Sequence, residues 1–154
     1  MMKRKVIITL LVTTLLCVCF LLSACNGVKR GGKHVYVACV TMTENDEVLF
    51  DRTYGSFSGE QWCEFILPAD KMVKVQATSS EGALSLALTT DADYSKGEFY
   101  RTAEPGKDVG FVFATHGKRT TCRLTLTSEG TRGSIYAVIC DKTDDTEEGV
   151  TDLA

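Results

Sequence analysis

Cysteine, histidine, aspartate and tryptophan are the side chains here whose spacing could do chemistry. The seven cysteines are Cys17, Cys19, Cys25, Cys39, Cys63, Cys122 and Cys140. No CxxC spacing occurs and no histidine clusters with a cysteine, so the pattern gives a zinc site no support. Alternation sets Cys63 beside Phe65 and Leu67, and Cys122 beside Leu124 and Leu126, facing a core. Two readings stand for the last four. In one, bridges Cys39–Cys140 and Cys63–Cys122 form in an oxidising compartment. In the other, they are buried thiols acting as small hydrophobes.

The two histidines, His34 and His116, stand at a strand start and in a His-Gly-Lys turn. A general base needs a histidine held by a third group beside a nucleophile. Neither GxSxG nor HExxH is present, so the expectation is no enzyme. A hydrolase gathering His34 or His116 with a carboxylate is the class to test against it. The run Asp91-Ala92-Asp93-Tyr94-Ser95-Lys96-Gly97-Glu98 alternates oxygen ligands. An EF-hand loop starting there needs glycine sixth and glutamate twelfth, where Lys96 and Thr102 stand. It reads as an Asp-rich turn, and neither metal nor another cofactor is called for. Trp62 and Glu64 point away from the Cys63 face. An exposed indole beside a carboxylate can stack on a sugar ring and accept its hydroxyl hydrogens, and Tyr54 and Phe57 could extend that platform. Trp62 covered by a loop or a second sheet is the other reading.

The start of the chain is an address. Lys3, Arg4 and Lys5 precede an apolar run from Val6 to Leu22, as in a secretory leader. Leu22-Ser23-Ala24-Cys25 resembles the lipobox of bacterial lipoproteins: an aliphatic residue, two small ones and a cysteine. The resemblance implies cleavage between Ala24 and Cys25 and a diacylglyceryl group on the Cys25 sulfur. It also implies a membrane-lipid partner and an anchored, extracytoplasmic location, on the outer membrane if the cell has two. Two acyl chains hold stably where one holds reversibly. Cys17 and Cys19 leave with such a leader.

Loss of the leader takes the net charge of the 154-residue chain from −3 to −6. Six acids sit between Asp141 and Asp152, so the body is nearly neutral. It therefore lacks the clustered cations of a nucleic-acid surface, and no nucleic-acid partner is expected.

The elements that must position these residues read as strands. Period-two alternation marks 34–42, 47–54, 60–67, 71–79, 84–88, 97–102, 108–114, 119–128 and 133–140, with Gly- or Pro-containing turns between most of them. About nine short strands predict an all-β, antiparallel β-sandwich of jelly-roll type. Segments Glu64–Val75, Gly82–Leu86 and a Thr125–Ile139 hairpin resemble the pre-peptidase C-terminal-like and related jelly-roll modules of secreted bacterial proteins. The expected organisation is a signal peptide at 1–24, a lipidated flexible tether at 25–33, a sandwich at 34–140 and an acidic disordered tail at 141–154. The expected role is a membrane-anchored, non-enzymatic binding or adhesion domain for an unknown envelope protein or glycan. A carbohydrate-binding module centred on Trp62 is the alternative.

Overall fold

The computed structural model describes residues 28–36, 39–41, 47–90, 99–115, 117–143 and 149–153. The leader, Ala24, Cys25, the Asp91–Glu98 run, His116 and residues 144–148 of the acidic tail lie outside the described residues, as does the side chain of Cys39.

The all-β antiparallel class forms as the alternation predicts. Among the described residues ten strands make one sheet: β1 (Lys29–Gly31), β2 (His34–Tyr36), β3 (Cys39–Thr41), β4 (Val48–Leu67), β5 (Lys71–Glu81), β6 (Leu84–Thr90), β7 (Phe99–Ala103), β8 (Val109–Ala114), β9 (Thr120–Asp141) and β10 (Gly149–Asp152). Instead of two separately bonded sheets, a pair of long central strands serves two wings. β4 has 20 residues and β9 has 22, and they pair from Val48↔Val138 to Leu67↔Thr120. One half of β9 continues through β5 and β8 to β10. Its other half continues through β6 to β7. The short β1, β2 and β3 line the far side of β4.

The segments expected as two pairs of short strands are therefore two continuous ones. Residues 55–59 and 129–133 look like turns because they hold glycine, serine and charge. In the sheet they are bulges. Tyr54 pairs with Gly133 but Phe57 with Thr131, and Ser58 then pairs with Glu129. An unequal residue count bends both strands and raises their twist, which turns one wing relative to the other. Hydroxyls hold the bend: Thr131 Oγ1 donates to the Ala83 carbonyl at 2.6 Å, and the Ser128 and Thr131 hydroxyls are 2.5 Å apart. The Thr125–Ile139 hairpin expected from the jelly-roll resemblance is one strand for this reason.

Both wings contribute to a single core. Leu84, Leu86, Leu88 and Phe99 come from one, Val73, Val75, Phe111 and Ile135 from the other, with Phe57 and Leu124 from the central strands. The Phe99 and Phe111 rings meet edge to face, centroids 4.5 Å apart, although β7 and β8 do not pair. Burial of each such side chain contributes about 1.5–3 kcal/mol, which drives the closure. Two expectations for the chain ends change. Lys29–Gly31, assigned to the tether, is a strand on β4. Gly149–Asp152, assigned to the tail, is a strand on β8.

Candidate functional site

Trp62, Glu64 and Tyr54 do not form the surface the sequence suggested. Trp62 and Glu64 do lie on the outer face of β4, half-buried. The Arg123 guanidinium sits over the indole at 4.4 Å from its centroid. Arg123 Nη2 also donates to Glu64 Oε2 at 3.2 Å, and Lys29 Nζ to Oε1 at 3.1 Å. On the other side, Gly31 of β1 lies so close that a Cβ there would stand 2.5 Å from the indole Cζ2. The cluster neutralises its own carboxylate and covers its own ring. Tyr54 is 1% exposed and stacks on the fully buried Phe57 at 4.9 Å. Its hydroxyl donates to Gln61 Oε1 at 2.8 Å, so the pair is satisfied inside the core. Tyr54 and Phe57 thus cannot extend a stacking platform. The bulge between them reverses the alternation and turns both inward.

Neither expected bridge is present: Cys63, Cys122 and Cys140 are free thiols. The register explains this. Cys63 pairs with Leu124 and Cys122 with Phe65, leaving the two cysteines diagonal. Diagonal neighbours stand roughly 7–8 Å apart, beyond the usual reach of a disulfide. Cys39 pairs with Tyr54, which pairs with Gly133, seven positions along β9 from Cys140. Burial pushes the Cys63 thiol up to about 12. Cys140 is raised as well, mainly by burial.

His34 is exposed on β2, in a shallow depression with Gly32, Lys33, Val35, Ser58 and Gly59 and without a lining carboxylate. Among the described residues, no three histidine, cysteine, aspartate or glutamate side chains gather where a metal ion could be held.

A different arrangement forms on the outer face of the first wing. Outward positions of β9, β5 and β8 align there in two rows: Tyr136–Gln76–Gly110, and beside it Ser134–Thr78, ending at Asp108. Gly110 has no side chain, and Leu153 packs into the space a side chain there would take: a Cβ on Gly110 would stand 3.2 Å from its Cβ and Cδ1. Leu153, just past β10, closes the far side, held by its N–H donating to the Gly110 carbonyl at 2.9 Å. The result is an open groove of about 420 Å³. A second depression sharing Thr78, Asp108 and Ser134 extends it toward Thr53 and Arg132. Tyr136 is 42% exposed. Thr78 and Ser134 hydroxyls are 2.9 Å apart. The side chains of Gln76, Asp108 and Tyr136 have no hydrogen-bonding or ionic partner among the described residues. No sequence signal marked this groove: Tyr136 and Gln76 are 60 positions apart, and only the β5–β9 register joins them.

Comparison with protein families, with curated proteins and with solved structures finds no match to this chain.

Proposed function

We propose that this protein is a membrane-anchored, extracytoplasmic lipoprotein whose β domain serves binding or adhesion at the cell envelope rather than catalysis. The observation that carries the proposal is Leu22-Ser23-Ala24-Cys25 closing a basic and then apolar leader. Cys25 is the acylated residue and cleavage falls before it. β1 starts at Lys29, a few residues after the proposed anchor, which supports this reading. The domain would therefore stand close to the membrane surface. Lys29, Arg30 and Lys33 lie at that end, where positive charge favours anionic headgroups at low salt.

The test is metabolic labelling with a fatty-acid analogue, followed by membrane fractionation. The wild type should be labelled, lack residues 1–24 and sediment with membranes. Cys25→Ser should lose the label. A Cys25→Ser protein that stays labelled and membrane-bound overturns the proposal.

A further inference from the structure

We propose that the groove between Tyr136 and Asp108 is a binding site for a neutral carbohydrate, with Tyr136 as the stacking surface. The inference rests on reading the domain as a binding module and assigns that module its site and ligand class.

Three properties of the groove select the ligand. The first is shape. A phenol ring stands 42% exposed at the side of a trough that Leu153, packed over Gly110, closes at its far end. A pyranose ring has an apolar C–H face and a rim of hydroxyls, so it can lay that face on the tyrosine and its edge along the trough. The second is hydrogen-bonding capacity. The Asp108 carboxylate only accepts, the Gln76 amide both donates and accepts, and the Tyr136 hydroxyl does either. Among the described residues, none of the three is committed to another side chain. Thr78 and Ser134 spend one bond on each other and keep further lone pairs for a ligand. A rim of vicinal hydroxyls, each donor and acceptor at once, matches that mixed set.

The third property is charge. Among the described residues no lysine or arginine lines the trough, so a phosphate or a nucleic-acid backbone would find no counter-charge there. Arg132, in the adjoining depression, is already engaged by Glu81 at 3.5 Å and by the Gly55 carbonyl at 3.3 Å. A lone carboxylate among neutral groups favours an uncharged polyol over a polycation. The volume, about 420 Å³, falls within the range of small-ligand sites, and an open trough admits a ring from within a chain as well as a chain end.

The Trp62 cluster provides the control within the same molecule. Its ring is covered by Gly31 and Arg123 and its carboxylate is paired twice.

The experiment is calorimetric titration of the full-length protein in detergent micelles. The probes are the hexasaccharides of maltose, cellulose, chitin and mannan type, with spermidine and inorganic phosphate alongside. At least one hexasaccharide should bind. Tyr136→Ala and Asp108→Asn should each weaken it at least tenfold, Tyr136→Phe should keep most of the affinity, and Trp62→Ala should leave it unchanged. Gln76→Ala, at an exposed position, gives a further variant that does not disturb the core and should also weaken binding. Binding lost in Trp62→Ala but kept in Tyr136→Ala overturns the site. Binding of spermidine or phosphate alone, or of no hexasaccharide at millimolar concentration, overturns the ligand class. These outcomes are independent of fatty-acid labelling at Cys25, so this inference and the anchor proposal fail separately.

Discussion

At the scale of single residues, burial decides chemistry more than residue type does. Cys63 is fully buried beside Phe65, and its thiol is held up at about 12 against an ordinary value of 9.0. A group whose proton is held more tightly when folded stabilises the fold fully below its unfolded value, here about 9. That contribution is lost as pH rises from there through the folded value near 12. Midpoints of chemical denaturation should therefore fall above pH 9 in the wild type and fall less steeply in Cys63→Ala. Reactivity follows the same logic, because the thiolate is the nucleophile. Peptide mapping after brief iodoacetamide treatment of native protein at pH 8 should find Cys140 modified, with Cys63 and Cys122 protected until the protein unfolds. Trp62 provides a second readout at this scale. It is the only tryptophan in the chain, and a guanidinium lies over its ring. Arg123→Ala should change the wavelength and yield of its emission, losing a ring contact that contributes about 0.5–1 kcal/mol where partly exposed together with the bond to Glu64.

At the scale of elements, the alternation that was legible and the joins that were not have separate causes. Val73, Val75 and Ala77 on β5 and Leu84, Leu86 and Leu88 on β6 face the core as their period of two predicts. The pattern failed where bulges reset its phase, because alternation counts residues on one strand and a bulge depends on the partner. Tyr54 and Phe57 look like opposite-facing neighbours of a turn, yet both are core residues of one strand. The tail strand was missed for another reason: the acids around it obscure a strand whose pairing comes wholly from β8. The groove residues were illegible for lack of any local spacing at all. The bend itself can be tested. Gly133 lies against the Thr78 carbonyl of β5 so closely that a side chain would collide with backbone. Gly133→Ala should therefore force the strands apart and cost about 1–3 kcal/mol in denaturant unfolding. Thr131→Val keeps shape but removes the hydroxyl bond to the Ala83 carbonyl, at a cost of about 0.5–1.5 kcal/mol.

At the scale of the whole molecule, the two wings are fastened at their rims as well as through the core. Arg101 of β7 holds Asp152 of β10 through two bonds, Nε to Oδ1 at 2.9 Å and Nη2 to Oδ2 at 2.7 Å. The same guanidinium lies 4.0 Å from the Phe99 ring centroid. Hydrogen bonding to Arg101 holds the Asp152 carboxyl below its ordinary value of 3.8. A depressed carboxylate lends stability above its unfolded value, and that stability is lost as pH falls below 3.8 and through the folded value. The clasp is exposed, so added salt should weaken it as well. Hydrogen exchange of the Gly149–Leu153 amides should accelerate in Asp152→Asn and in high salt, while amides of β4 and β9 keep their protection. Equal acceleration in the central strands would mean that the clasp does not act locally.

The sharing of β4 and β9 by both wings also sets an order of events in time. β4 is complete at Leu67, but the strand that pairs along its whole length begins only at Thr120 and ends at Asp141. A chain emerging N-terminus first, from a ribosome or through a membrane pore, thus presents a 20-residue unpaired edge for the span of some 70 further residues. Such edges template pairing with other chains. Non-local pairings of this kind also form slowly, because loop closure must precede the contacts that reward it. Until Thr120–Asp141 is delivered, β5 can pair with β8 and β6 with β7, but no strand joins either pair to β4.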